Sequence, residues 1–333
     1  MITGEGQFHV TPPRRSTSAD VAREAGVSRA TVSYVLNDRP GQVIPEATRR
    51  RVLEAAERLE YRPHASAKAL AAGHSDVVLL SIPDLPIGPS ISRFVEELAG
   101  ALAGQGLTLV THLMGAHGRP LPDVCAAVAA SAVIGFDSFD ESTLQALRRM
   151  GVRVVLPDEA DHFPAMPPLG RMQAGHLLAR GHRSIGYLMP AQPGFRSMAE
   201  ERLRGVREEC HEAGVEPPLV LVGELDISAL TPLVSQWRER GVTGVCAFND
   251  EHAIALLAAV REAGLSVPKD LAVVGADDIP MARFAAPALS TVYFDLQEAG
   301  RHRAEAVVAS LSGTPVSSTV PSTSLRLRQR SST

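Results

Sequence analysis

The sequence predicts a molecule in two parts: an all-α N-terminal head containing a helix-turn-helix, and an α/β body of two lobes built on parallel, doubly wound sheets. Residues 17–59 carry helix-cap and helix-stop signals at short spacing. From Asp76 onward, apolar strand-like runs alternate with amphipathic helical stretches. At 333 residues the chain exceeds one ordinary core.

Residues 1–15 are small and polar, with Pro12 and Pro13, and read as a disordered arm. Thr17 or Ser18 can cap a first helix. That helix has Asp20 in its first turn, Val21, Ala22 and Ala25 on its apolar face, and Gly26 at its end. Ser28 can cap a second helix with Val32, Val35 and Leu36 inward, broken at 37–41 by Asn-Asp-Arg-Pro-Gly. A third helix runs from about Pro45 to Leu59, with Pro45 in its first turn and Val52, Leu53, Ala56 and Leu59 inward. An Ala-rich stretch follows Tyr61-Arg62-Pro63 and stops at Gly73. It is too short to hold as an isolated helix in water, so it is a candidate for folding on contact with a partner.

The body's strand candidates are 77–83, 107–114, 132–136, 152–157, 184–189, 219–223, 242–248, 271–276 and 290–294. Helical patterns lie between most of them, as at 91–104, 141–150, 170–180, 197–213 and 250–263. Buried runs alternating with helices indicate a parallel sheet. The number of strands is too large for one sheet of usual size, so two lobes are expected. The expected division is a disordered arm at 1–15, the helical head at 16–62, a hinge and linker at 63–74, and the body at 75–333. Within the body, lobe 1 is expected at about 75–158 plus 290–318, and lobe 2 at about 159–289 plus 319–331. Ligands of such folds sit at the carboxyl ends of strands.

The net charge of −4 hides an asymmetry. Segment 14–73 has 11 basic and 7 acidic residues, net +4, whereas 74–333 has 22 basic and 29 acidic, net −7. A basic head on an acidic body suits a polyanionic partner, although an Arg-rich solvated helix face gives the same count.

The string from Asp20 to Asn37 (DVAREAGVSRATVSYVLN) closely resembles the DNA-binding head of the LacI/GalR family, and Tyr61-Arg62-Pro63-His64-Ala65 resembles the start of that family's hinge. The sensor domain of the family is matched by Gly181-His182-Arg183-Ser184-Ile185, Phe248-Asn249-Asp250, the run 267–275, Asp277-Asp278 and the run 287–292. Coverage is about residues 17–331. The resemblance implies a transcriptional regulator, usually a repressor, with a periplasmic-binding-protein-like sensor. It implies a homodimer on a pseudo-palindromic operator of double-stranded DNA and a small-molecule effector, often a sugar or derivative.

The family's base-reading positions fall on Arg29, Ala30 and Tyr34. Arg29 can donate a bidentate pair to guanine, while Ala30 can offer only a methyl. Thr17, Ser28, Thr31, Ser33 and Asn37 can reach phosphates, which position without reading sequence. In the hinge, His64, Ala67 and Lys68 match minor-groove positions. Leu70 matches a Leu that wedges into the central base step, where partial unstacking is repaid by contacts the bend permits; the alternative for Leu70 is packing beneath the linker.

Arg202, Asn249, Asp277 and Phe294 match effector-holding positions. Arg, Asn and carboxylate suit hydroxyl recognition; the alternative for Asp277 is a strand-end cap or a salt-bridge residue. Arg204 reads as solvent-facing. The family's usual Asp falls near Pro168, and the first-lobe loop reads Pro86-Ile87-Gly88-Pro89-Ser90-Ile91, so the pocket reads as less polar than a sugar site.

A solute-binding protein of periplasmic type shares the two lobes but not the basic head. The N-terminus also lacks an apolar signal region, which favours the cytoplasm. Gly4-Glu5-Gly6 follows no strand and lacks a third glycine, and no P-loop, Gly-x-Ser-x-Gly or zinc-spaced His pair is present. Three widely spaced cysteines form no metal pattern or disulfide framework. No catalytic residue, metal or cofactor is expected, and no apolar run is long enough to cross a membrane.

Overall fold

The computed structural model describes residues 16–36, 44–61, 75–84, 87–114, 118–136, 138–157, 166–314 and 325–333. They fall into two compact units, divided between Ser75 and Asp76. The expected arm at 1–15, Asn37, and the hinge stretch with His64, Ala67, Lys68 and Leu70 lie outside the described residues.

The first unit holds α1 (Ser18–Ala25), α2 (Arg29–Leu36) and α3 (Glu46–Arg58). Thr17, not Ser18, caps α1, with Asp20 closing a capping box and Gly26 ending the helix in the left-handed conformation. Val21, Ala22, Ala25, Val32, Val35, Val52, Ala55 and Ala56 form its core. The expectation for Leu53 fails: it is 47% exposed, and Ala55 is buried instead. Val52, Ala55 and Ala56 share one face at i, i+3 and i+4, whereas Leu53 is turned about 100° away. Ser16 Oγ donates to Leu59 O at 2.8 Å, tying the start of α1 to the end of α3.

In the second unit, β1 (Val77–Ile82), α4 (Pro89–Ala103), β2 (Thr108–Leu113), α5 (Leu121–Val128), β3 (Ala132–Gly135), α6 (Glu141–Arg149) and β4 (Val154–Leu156) make one lobe. Its sheet is parallel, in the order β2-β1-β3-β4. The chain continues through α7 (Met166–Ala179), β5 (Ile185–Pro190), α8 (Arg196–Glu212), β6 (Leu219–Gly223), α9 (Ile227–Glu239), β7 (Gly244–Ala247), α10 (Asp250–Glu262), β8 (Ala272–Ala276), β9 (Ser290–Phe294), α11 (Leu296–Ser312) and β10 (Leu325–Arg328). The second sheet runs β10-β9-β8-β7-β5-β6, parallel except for β10.

In each sheet the first strand sits between the next two, so β1 and β5 mark the topological switch points, and ligand crevices lie at such points. The structure divides the segment expected to return to lobe 1. β9 pairs with β8, Val274 opposite Ser290, so 290–294 belongs to the second sheet; only α11 returns, packing on α4. β10 was not anticipated. Its Leu-Arg-Leu-Arg alternation pairs Leu325 with Phe294 and Leu327 with Val292 at a sheet edge.

Close helix packing positions the cleft. A Cβ on Gly170 would lie 1.9 Å from Arg202 O, and one on Gly205 would lie 1.9 Å from Pro167 O. Only glycine at both points lets α7 and α8 cross so closely, and this fixes Arg202 against the strand ends. One apolar cluster runs from Val78, Leu80, Leu98 and Ile134 of the first lobe to Phe195, Phe248 and Phe294 of the second.

Candidate functional site

The head presents the N-terminal turn of α2. Ser28 precedes it, and its Oγ accepts from Thr31 N at 3.1 Å and lies 2.9 Å from Thr31 Oγ1. One hydroxyl of this pair donates to the other, so one hydroxyl proton has no partner among the described residues, beside the positive end of the helix dipole. Ser28, Arg29 and Ala30 are exposed, and Ser33 and Tyr34 are half-buried. Val32 and Val35 are buried and hold the opposite face in the core. Thr17 is exposed, but its hydroxyl already donates to Asp20 Oδ2 at 2.7 Å, so a phosphate contact there must replace that bond.

In the second unit, a cleft of about 690 Å³, part of it open solvent, lies at the carboxyl ends of β1, β3, β5, β7 and β8. Arg202, Asn249, Asp277 and Phe294, taken from the sequence, all line it. Arg202 is 5% exposed. It donates to Phe248 O, to Met166 Sδ at 3.3 Å and to Asp277 Oδ1 at 3.3 Å, and its guanidinium lies 4.6 Å from the Phe248 ring centre. Asp277 is therefore a salt-bridge partner. Arg204 is exposed, as expected, beside Glu201. Asn249 caps α10, its Oδ1 accepting from His252 N at 3.0 Å. Phe294 is 2% exposed.

One hydrogen bond and one close approach cross the cleft from the second lobe to the first. Ser90 Oγ, in the first turn of α4, donates to Asp277 Oδ2 at 3.1 Å. Glu251 leans toward Gly88, the residue preceding α4, so that a Cβ there would meet Glu251 Oε2 at 2.8 Å. Both carboxylates thus sit at the positive end of α4. Asp277 holds φ at +103°, unusual for a residue with a side chain. Its neighbour Asp278 is anchored from the C-terminal segment by Arg330 at 2.5 Å. Such strain is kept only where the surroundings over-determine it, as at ligand sites.

Burial sets the protonation of this region. Asp250 is fully buried, accepting from Ile279 N at 2.9 Å and Thr291 Oγ1 at 2.5 Å. Burial, then the Asp277 charge, raises its carboxyl well above the usual range. The same two causes raise Glu251. His252, 1% exposed, is held down to about 4 by burial and then by Arg202. Its Nδ1 lies 2.6 Å from Asn249 Oδ1, and its buried Nε2 has no partner among the described residues.

Sequence reasoning missed most of the lining. Phe94, Phe136, Phe195 and Phe248 join Phe294, with Met166 and Met198, Ser90 and Glu251. The rings pack in pairs: Phe94 and Phe136 edge-on at 5.8 Å, Phe195 and Phe248 tilted at 5.1 Å. Of the four phenylalanines missed, Phe136 and Phe248 end strand candidates, as Phe294 does, a signal that could have found them.

Residues 17–64 match the family described as bacterial regulatory proteins, lacI family, and residues 174–333 match the periplasmic binding protein-like domain. The chain is 31% identical over 317 residues to the HTH-type transcriptional regulator GalR of Escherichia coli (strain K12), covering 90% of this chain and 91% of that one. Among solved structures, the lac repressor dimer bound to operator and the anti-inducer ONPF superposes with a TM-score of 0.78 at 24% identity, covering 96% of this chain and 99% of that one. The transcriptional regulator CelR–cellobiose complex superposes with a TM-score of 0.66 at 27% identity, covering 96% and 100%.

Proposed function

This chain belongs to the lacI family of bacterial regulatory proteins, and from that premise we propose that it is a DNA-binding transcriptional repressor whose grip on its operator is set by a small molecule in the interlobe cleft. It is a regulator and not an enzyme. The observation that carries the reading is the exposed first turn of α2, with Arg29 and Ala30 outward on a helix whose other face is fixed by Val32 and Val35. A recognition helix enters the major groove by its N-terminal residues. Arg29 reads a guanine, Tyr34 and the Ala30 methyl read neighbouring bases, and Thr17, Ser28, Thr31, Ser33 and Asn37 hold phosphates. His64, Ala67 and Lys68 contact the minor groove, and Leu70 wedges the central step.

Two copies act together on a pseudo-palindrome, because a closed dimer presents two heads with two-fold symmetry. Phe284 at 81% exposure and Met281 at 59%, on and beside the single turn Pro280–Arg283, support self-association through the body. The effector acts by favouring one packing of the lobes over another, which only a ligand with different affinity for the two states can do. Arg202, Asn249, Asp277 and Phe294 line the site that receives it. Among the relatives, CelR is described with cellobiose and another lacI-family regulator with ribose, so a sugar or sugar derivative is the reference ligand. No helix among the described residues is long and apolar enough to cross a membrane, and the site of action is the cytoplasm, where the DNA is.

Selection of binding sites from a random duplex pool tests the reading. The enriched sites are expected to be two-fold symmetric; enrichment of asymmetric sites, or of none, rejects it.

A further inference from the structure

The cleft's own chemistry departs from that of a sugar site. The chain has nine phenylalanines, and five of them line this one cleft, so its walls are concentrated apolar surface rather than average interior. The polar groups at its floor are already bonded to one another. Arg202 spends three of its five N–H donors on Phe248 O, Met166 Sδ and Asp277. Asn249 Oδ1 is spent on the α10 cap and His252, and Asp250 on Ile279 N and Thr291. Asp277 accepts from Arg202 and Ser90. A free sugar would bring hydroxyls by the handful to groups with little left to give, and buried hydroxyls without partners oppose binding.

What the floor still offers is acceptor capacity. Among the described lining residues, Asp277 is paired with the single guanidinium of Arg202 and Asp250 is held toward its neutral form by burial, which leaves Glu251 as the acid not matched by a cation. Glu251 is half-buried and approaches Gly88 of the other lobe; the Asn249 side chain donates a hydrogen bond to it, and a carboxylate's further lone pairs remain for a ligand. An anionic ligand finds no unpaired cation among the described lining residues; a donor or a cation meets Glu251 and the negative faces of the phenyl rings.

We infer that the effector is a compact molecule with an aromatic body and an uncharged or cationic hydrogen-bond donor, rather than a free sugar or an anion. Its ring packs among Phe94, Phe136, Phe195, Phe248 and Phe294, and its donor reaches Glu251. The inference rests on the reading of this cleft as the effector site. A donor on Glu251, which stands close to Gly88 at the start of α4, would link the two lobes through the ligand and so couple occupancy to lobe packing.

The test uses the full chain in thermal-shift titrations with phenethylamine, indole, benzoate, glucose and glucose 6-phosphate, each to about 10 mM, where even weak ligands register. Phenethylamine or indole is expected to raise Tm by several degrees, more than benzoate or either sugar. Ile91→Asn and Leu296→Asn, at partly buried lining positions, are each expected to weaken that binding about tenfold or more. No shift with either aromatic donor, a larger shift with glucose, glucose 6-phosphate or benzoate, or a shift unchanged in both variants overturns the inference. Gel shifts on the selected operator separate it from the reading beneath. An aromatic donor that binds the cleft but leaves operator affinity unchanged sinks the regulatory reading and leaves the ligand class standing. A sugar that changes operator affinity does the reverse.

Discussion

Replacing Arg202 with Met removes the guanidinium from the cleft floor while keeping an unbranched stem. Asp277 then keeps Ser90 Oγ as its remaining side-chain donor among the described residues, close to Asp250 and Glu251. The pair's side chains are 6% and 9% exposed, and its N–O separation is 3.3 Å. At an effective dielectric of about 20, two unit charges at that distance attract by ~5 kcal/mol. Desolvation offsets part of this in the intact pair, but breaking one partner leaves a buried uncompensated charge, which costs about 3–5 kcal/mol. In a unit spanning Asp76–Thr333, each kcal/mol moves Tm by about 2 °C, so Arg202→Met is expected to lower it by roughly 6–10 °C.

Asp277→Asn is expected to cost less, because Arg202 keeps the Phe248 carbonyl and the Phe248 ring face. The double variant is expected to recover part of the Arg202→Met loss, since a neutral amide no longer needs a countercharge. Denaturant unfolding of the four proteins gives the coupling energy, expected at about 2 kcal/mol or more. Single losses that add within about 0.5 kcal/mol would show the two groups to be independent and refute the account of the cleft floor.

Four other outcomes follow from the same residues. Arg29→Ala should relax preference at one operator base pair, at about 1–3 kcal/mol, read by competition with single-base variants; equal weakening on all sequences would assign Arg29 to phosphate instead. Thr17→Ala removes the α1 capping box and should lose about 1 kcal/mol of head stability, seen as faster hydrogen exchange in α1. His252 is held at about 4 against about 6.5 in the unfolded chain, so the unfolded state takes the proton first and stability is lost as pH falls from about 6.5 to 4. That loss reaches about 3 kcal/mol, while the raised carboxyls of Asp250 and Glu251 act in the opposite direction; the difference between wild type and His252→Gln, which lacks the titration, isolates it, and parallel profiles would contradict it. Phe284→Glu should weaken self-association in sedimentation, with the fold retained; an unchanged mass distribution would move the interface elsewhere.

The head was legible because its signals are local. Thr17, Asp20, Gly26 and Ser28 act within a few residues of themselves, and the apolar period of α1 and α2 names their buried faces. Leu53 was misplaced because an Ala-rich helix leaves the stripe weakly marked, and size drew attention away from Ala55. Strands β1 to β9 were visible as apolar runs. β10 was not, since an edge strand of alternating Leu and Arg after a Ser/Thr-rich stretch has the texture of a tail. The cleft was least legible. Phe94, Phe195 and Phe294 are separated by about a hundred residues each, and only the winding of two sheets brings them to one crevice. Glu251 and Gly88 meet because two strand ends face each other across the lobes, a distance that no local pattern encodes.

Fluorescence anisotropy of the purified full chain on a selected palindrome and on a scrambled duplex of the same composition, at about 0.15 M salt, tests the central claim most directly. The account predicts binding to the palindrome about a thousandfold tighter or more, and a further change in that affinity on adding the ligand that stabilises the body. Equal affinity for both duplexes would contradict it.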